Sequence, residues 1–399
     1  MEEVCHSEIA LLGCKKGGPS VGAREKISRI EHFGLGAGHG VEFSALRLHE
    51  SFGLFGAIVS FRSSTSLIAP ALMDTKRPTN PAAEEVLGGY FPVLDHGFVS
   101  LVDYMGSDED IERAARVSYG YGTRKQTQTR GLIRYLRRHL HTTPSEMVEL
   151  KFHCSMPMFV ARQWIRHRTA SVNEYSGRYS LMPLLFYMPE QEHFALQSES
   201  NQQGRQEGSA PSEVYREAVR RWEELRSAAA EGYTWMVGEE VAREIARIDL
   251  PLSTYTQWYW KIDLHNLFHF LTLRVDEHAQ WEIREYARIM AGVLKRVAPL
   301  SYEAWIDYNL CGSSLSFGEL AALRILIGPT EDGIGVREGA KPLGKDALTD
   351  HGLSGREIRE LQGKLDAVER PDFELDLGLM RSSEEAAAEM EGAVPGNFE

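Results

Sequence analysis

Side chains suited to binding an anion are concentrated between Gln163 and Tyr179. This run holds Arg166-His167-Arg168, the carboxylate of Glu174 and the tripeptide Ser176-Gly177-Arg178. Arginine binds the planar edge of a phosphate or carbonyl group at two points, and a Ser-Gly-Arg turn can offer a hydroxyl, an amide and a guanidinium to one anion. A solvated helix face would instead pair Glu with Lys four residues apart. The run therefore predicts an anion site, and a structural ion-pair cluster is the alternative.

The elements that flank this run would hold it in place. Leu150, Phe152 and Cys154 alternate with polar residues, which predicts a strand with one buried face and makes Cys154 a core residue. Pro157 should end that strand, and we expect a helix over 158–166.

Periodicity and end signals predict the remaining elements. We expect strands over 98–104 and 254–262, a polar loop over 189–210, and helices over 108–119, 130–139, 211–236, 239–248, 264–273 and 278–297. Thr143-Pro144-Ser145-Glu146 has the pattern of a capping box with proline in the first turn, so a helix should begin there. No Gly-rich dinucleotide fingerprint follows a strand, so a dinucleotide cofactor would be bound without a Rossmann domain.

Composition narrows the classes of function. The 399 residues include 44 Lys and Arg against 57 Asp and Glu, a net charge of −13 that argues against a general nucleic-acid binder. The cysteines, Cys5, Cys14, Cys154 and Cys311, are too few and scattered for a disulfide framework, which favours a reducing, cytoplasmic setting. The apolar run Phe52–Phe61 is far shorter than the roughly 20 residues of a membrane span.

The two ends of the chain differ in composition from its centre. The first 72 residues are rich in Gly and Ser, and Met73 opens a polar, proline-containing stretch that resembles the start of a domain. From residue 329 onward, 17 acidic residues face 8 basic ones, a balance typical of disorder. We therefore expect a disordered or over-translated extension over 1–72, a linker over 73–89, a catalytic domain over 90–312 and an acidic, largely disordered tail over 313–399.

The motif itself resembles a known family. Arg166-His167-Arg168 followed after seven residues by Ser176, with Asn173-Glu174 and Arg178-Tyr179 in place, is similar to the signature of the flavin-dependent thymidylate synthases. The resemblance covers roughly residues 90–310. It implies de novo synthesis of dTMP by methylation of dUMP at uracil C5, with methylenetetrahydrofolate as one-carbon donor and NADPH as reductant through bound FAD. It also implies an α/β (mixed α+β) protomer that is not a Rossmann domain, and a homotetramer whose active sites are shared between subunits.

The resemblance assigns residues to each ligand. For dUMP they are Gln163, Trp164, Ile165, Arg166, Glu174, Tyr175, Ser176, Gly177, Arg178, Arg247 and Arg274. For FAD they are Thr143, Arg166, His167, Arg168, Glu174, Asp263, Leu264, His265 and His269. Asp263, His265 and His269 depart from a common family pattern, in which asparagine and arginine occupy comparable positions.

Arg274 is the catalytic residue that the resemblance implies. Uracil C5 becomes nucleophilic when negative charge develops along the N3–C4=O edge, and a fixed guanidinium stabilises that charge as it forms. Because a guanidinium stays protonated in proteins, Arg274 would not serve as a proton acceptor. The classical synthase instead uses a cysteine thiolate, and no cysteine lies within this constellation.

Individual residues have competing interpretations. A nucleophilic Ser176 would need a base, and His167, nine residues away, has no evident orienting partner, so we interpret Ser176 as a substrate-binding hydroxyl. Arg247 could instead be a cation that stabilises the carboxyl end of a helix.

Two other classes of function compete with the synthase. His265 and His269 are spaced for one helix face and could hold zinc, although Asn266 stands where the HExxH motif has glutamate. A nucleotide- or nucleic-acid-binding module could instead stack bases on Trp164 or Tyr175.

Overall fold

The computed structural model describes residues 77–118, 129–199, 204–366 and 368–395. The prediction for residues 1–72 lies outside these segments. The central strands are β1 (Tyr90–Val93), β2 (Gly97–Met105), β3 (Glu149–Pro157), β4 (Ser171–Glu174) and β5 (Tyr255–Asp263). They form one antiparallel sheet in the order β1-β2-β3-β5-β4. The prediction of a mixed α/β fold is confirmed.

Fourteen helices are assigned within the described segments. They are α1 (Pro81–Glu84), α2 (Asp108–Arg116), α3 (Thr129–Arg138), α4 (Thr143–Glu146), α5 (Met158–Trp164), α6 (Ser212–Gly238), α7 (Arg243–Ala246), α8 (Leu264–Arg274), α9 (Trp281–Val297), α10 (Pro299–Trp305), α11 (Phe317–Leu326), α12 (Lys345–Asp350), α13 (Gly355–Leu365) and α14 (Ser383–Gly392). A second hairpin pairs β6 (Ile327–Thr330) with β7 (Gly333–Val336).

Helices α8 and α9 cover one face of the sheet and form the main core with it. The alternating residues Leu150, Phe152 and Cys154 of β3 are all 0% exposed, and Phe152 pairs in register with Trp260 of β5. The predicted strand and the core position of Cys154 are therefore confirmed. Burying such large apolar side chains contributes about 1.5–3 kcal/mol each, so this layer fixes the sheet on which the site is built.

Most elements predicted from periodicity are present, with ends that differ by a few residues. Two local predictions are wrong. The helix expected over 239–248 is reduced to α7, because α6 runs on to Gly238 and Glu240 then takes a positive φ of 59°, which is not helical. The capping box at Thr143 is absent: Thr142 is the N-cap, and its helical backbone angles leave its side chain without a capping hydrogen bond.

The segments expected to be a linker and a disordered tail differ from that expectation where the structure describes them. In the linker, Ala83 and Val86 are fully buried. In the tail, Ile358 and Leu361 of α13 bury against Leu353, and α14 packs by Ala386 and Met390. The average composition of the tail is acidic, but the apolar residues of α13 and α14 are spaced so that each of these helices buries one face.

No helix in the described part of the chain is both long and apolar enough to cross a membrane.

Candidate active site

Arg274 and His167 meet although 107 residues separate them. Arg274 is the last residue of α8, and His167 lies in the turn that follows α5. The Arg274 Nε donates a hydrogen bond to His167 Nε2 at 3.0 Å. Burial, the Arg274 charge and the neighbouring His269 lower the pKa of His167 to about 4. The imidazole is therefore neutral at physiological pH and can accept the bond that orients the guanidinium.

Trp164 fixes the end of α5 that leads into this turn. Its indole is 0% exposed, lies edge-on to Trp258 at 5.4 Å and stacks on Phe270 of α8 at 5.0 Å. The side chain assigned to dUMP by the motif is thus placed in the core, where it sets the distance between α5 and α8. Its neighbour Ile165 is 41% exposed, and Gln163 donates a side-chain hydrogen bond to Gln280.

A second group of predicted residues surrounds Gly177. This glycine is buried, and a Cβ added to it would lie 2.5 Å from Met182 Sδ and 3.1 Å from the Arg247 side chain. Arg247 therefore lies directly against the Ser-Gly-Arg turn, which supports the binding interpretation over a cation that serves only its helix. Arg178 pairs with Glu244 at 2.9 Å, with both side chains at least half exposed.

Hydrogen bonds from the backbone and side chain of Tyr175 hold the loop that contains this turn. The Tyr175 amide donates to the Gln257 carbonyl at 2.8 Å, and its hydroxyl donates to the Leu181 carbonyl. The Ser176 hydroxyl accepts the Arg178 amide at 3.4 Å. Since His167 accepts Arg274 instead, the structure gives Ser176 no hydrogen bond to the base that a nucleophile would need.

Glu174 ends β4, the exposed edge strand of the sheet. Its carboxylate accepts a hydrogen bond from Thr256 Oγ1 of the neighbouring β5 at 2.9 Å. This contact aims the carboxylate of a residue that the motif assigns to both ligands.

The residues assigned to FAD lie around α8. Asp263 is its N-cap and accepts the Asn266 amide at 2.9 Å, while Leu264 is fully buried. His269 lies 5.7 Å from His167, between ring centroids. Thr143, Arg166 and Arg168 are exposed, and Thr143 is on α4, which packs against α8.

His265 shows whether the residues of this site suit a bound aromatic cofactor. Its Nδ1 is buried and has no hydrogen-bond partner among the described residues. An unpaired buried polar atom costs about 1–3 kcal/mol, so a ligand that supplies a partner there is favoured. Arg166 and Arg168, which flank His167 in sequence, are exposed and could bind phosphates, so these residues fit a flavin dinucleotide.

The predicted residues form two groups in one protomer. Arg274, His167, His269 and Gln163 belong to the first, and the turn around Gly177 with Arg247 to the second. No hydrogen bond, ion pair or ring contact between described residues joins them directly.

The sequence reasoning missed several residues that position the site. Gln280 lies within the stretch of resemblance around Arg274 and could have been found there. Thr256 and Glu244 depend on strand register and on the packing of α7, for which the sequence carries no local signal.

A metal centre was the rival interpretation of His265 and His269. Within the described ranges, the group of His, Asp and Glu side chains whose ligand atoms converge is Glu190, Glu192 and His193. It contains neither histidine of the proposed zinc pair.

Comparisons with known proteins agree on one family. The family described as "Thymidylate synthase complementing protein" matches residues 100–300. A "Flavin-dependent thymidylate synthase" of Rickettsia bellii (strain RML369-C) is 49% identical over 265 residues, 63% of this chain and 90% of that protein. One of the same name from Gluconobacter oxydans (strain 621H) is 52% identical over 255 residues, 63% of this chain and 83% of that protein.

A solved structure is similar as well. The UMP/dUMP methylase PolB from Streptomyces cacaoi, bound with 5-Br UMP, is 33% identical with a TM-score of 0.50. The similarity covers 55% of this chain and 98% of that one.

Proposed function

Because the chain belongs to the flavin-dependent thymidylate synthase family, we propose that it methylates dUMP to dTMP with bound FAD, and that the two residue groups described above form its site. The observation that carries the proposal is the pairing of Arg274 with a neutral His167. This pairing gives the guanidinium a fixed direction. A preoriented cation costs no reorganisation when negative charge appears on the uracil edge.

The turn around Gly177 suits the dUMP phosphate. Ser176, the backbone amides and Arg178 can donate to one anion, with Arg247 packed beside them. The Arg178–Glu244 pair is exposed, and such pairs contribute about 0–1 kcal/mol. Arg178 can therefore exchange its ion pair with Glu244 for one with a phosphate dianion at little cost in free energy.

The residues around α8 would hold FAD. The buried Nδ1 of His265 would gain a hydrogen-bond partner, His269 would contact the ring system, and Arg166 and Arg168 would bind the phosphates. Thr143, Glu174 and Asp263 would complete the enclosure, and the buried Leu264 would fix the start of α8 in the core. When bound, FAD supplies the redox capacity that turns a transferred one-carbon unit into a methyl group.

Methylenetetrahydrofolate and NADPH are the proposed one-carbon donor and reductant, as the family resemblance implies. A homotetramer with shared sites is proposed because the family resemblance implies it, and β4, an edge strand whose four residues are all exposed, accords with it. A reducing, cytoplasmic setting accords with Cys154 and Cys311, which are free thiols.

An activity assay tests the proposal. Purified protein is incubated with dUMP, methylenetetrahydrofolate and NADPH, with and without added FAD, and dTMP is measured. We expect dTMP only when all components are present, and visible flavin absorbance on the protein. UMP serves as a second substrate, because the similar solved methylase acts on both nucleotides. Absence of dTMP from a flavin-loaded protein would contradict the proposal.

Gly177→Ala should raise the KM for dUMP about five- to tenfold while leaving kcat within about twofold. The added methyl group would lie 2.5 Å from the sulfur of the buried Met182 and would push on Arg247. Gly131→Ala is the matched control, because no atom lies within 4 Å of its added Cβ. Steady-state kinetics compares the two, and equal KM values would remove Gly177 from the substrate site.

A further inference from the structure

The segment 368–395, which we name the C-terminal strap, follows the catalytic body as a continuous band. It begins on α9 and α10, where the Phe373 amide donates to the Tyr302 hydroxyl at 2.8 Å. Lys295 pairs with Asp372 at 2.7 Å, and Leu375 buries against Gly292. The strap is therefore attached by both apolar and charged contacts.

The strap next crosses the outer edge of the sheet. Arg381 and Tyr90 exchange two backbone hydrogen bonds, of 2.8 and 3.0 Å, so the strap extends the sheet beyond β1. Such an exchange fixes the register of the strap relative to the sheet.

Helix α14 then lies over the sheet face opposite the main core. Met390 is 8% exposed, and its sulfur accepts the Ser155 hydroxyl at 3.9 Å. Glu389 contacts His96 Nδ1 at 2.7 Å and Arg381 at 3.3 Å. These contacts aim the end of the helix toward the loop that follows β4.

The last part of the strap contacts the proposed dUMP-binding loop. The Leu184 amide donates to the Ala393 carbonyl at 2.9 Å. Four residues on, the Met188 amide donates to Asp95 Oδ2 at 2.8 Å, and Asp95 precedes His96. The loop over 175–188 is thus held at two points. The strap binds Leu184 directly, and Asp95, next to the strap contact His96, binds Met188.

We propose that the C-terminal strap positions the dUMP-binding loop over 175–188 through the Ala393–Leu184 hydrogen bond and the Glu389–His96 contact. The inference rests on the proposed function, because it gives the loop the dUMP role assigned there. The strap lies outside residues 100–300, the part of the chain that matches the family. Strap residues act through the loop and are positioning residues.

Hydrogen exchange tests the contact without enzyme activity. A chain that ends at Met390 lacks the Ala393 acceptor but keeps the anchors at Leu375 and Arg381. We expect the Leu184 amide to exchange at least about tenfold faster in this truncation. The Tyr187 amide, bonded to the Ser253 carbonyl at 2.9 Å, is the internal control and should not change. Equal exchange at Leu184 in both chains would overturn the proposal.

Kinetics tests the consequence for substrate. In the truncated chain the KM for dUMP should rise about fivefold with kcat within about twofold, as expected for the loss of one hydrogen bond. Glu389→Gln should raise KM less, and Glu384→Gln, an exposed carboxylate on the same helix, should leave it unchanged. A fall in kcat with constant KM, or equal effects of both glutamine variants, would contradict the positioning role. If the full chain forms no dTMP, the proposed function fails, while the exchange experiment still decides whether the strap holds the loop.

Discussion

Arg274→Ala should lower tritium release from C5-labelled dUMP by about a hundredfold or more. Loss of a preoriented donor that stabilises developing charge typically costs about 10²–10³ in rate. The guanidinium is half-buried at the end of α8 and is oriented by His167. A water molecule in the space left by the side chain would not supply both its positive charge and its fixed hydrogen-bond direction. The measurement is the rate of tritium appearance in water under single-turnover conditions.

Two matched variants separate catalysis from folding in this experiment. Arg274→Lys keeps the charge but lacks the fixed Nε donor, so it should retain intermediate activity. Arg288→Ala removes an arginine that pairs with Glu285 on the exposed side of α9, and it should behave like the parent. The Arg274→Ala protein should still carry much of its flavin. Undiminished tritium release in that protein would exclude Arg274 from the mechanism.

The sheet and the long helices could be predicted from sequence because their residues bury one face in a regular pattern. The alternation through Phe152 and Cys154 has a period of two, and only one strand orientation buries it. The C-terminal strap could not be predicted in this way. Its apolar contacts before α14, such as Leu375 on Gly292, are single residues within an acidic background, and periodicity has nothing to detect there.

The motif predicted which residues belong to the site but not how they meet. His167 and Arg274 come together because Trp164 stacks on Phe270 and so ties α5 to α8. That stacking is a tertiary contact between residues 106 positions apart in sequence, and it is specified by the whole core. The same limit applies to Thr256, whose contact with Glu174 follows from strand register.

His167→Phe should lower kcat about tenfold or more, with a smaller effect on KM for dUMP. Phenylalanine can keep the edge contact with Phe270, now 4.9 Å between ring centroids, but it offers no acceptor to Arg274 Nε. The guanidinium would then sample directions in which it does not face the uracil edge. His167→Gln supplies a neutral acceptor and should recover part of the activity. His153→Gln, which changes another partly buried histidine on the opposite face of the sheet, is the control.

The pH dependence of stability gives a second, independent measure of the same contact. Burial first, then the charges of Arg274 and His269, lower the pKa of folded His167 from 6.5 to about 4. Between these values the unfolded chain binds more protons at this position than the folded one, so the free energy of unfolding must fall as the pH is lowered from 6.5 to 4. Part of that fall should be absent in His167→Gln, while the contribution of His153 should persist in both proteins.

Urea unfolding at several pH values measures this difference between the parent and His167→Gln.

The same low pKa means that protonation of His167 breaks the Arg274 contact only near pH 4 in the folded enzyme. Activity should therefore show no acidic limb from this group near pH 6.5. An acidic limb near pH 6.5 that disappears in His167→Gln would show instead that the imidazole titrates as if exposed. In that case His167 would be protonated below about pH 6.5. Arg274 would then lose there the neutral acceptor that orients it for the proposed uracil chemistry.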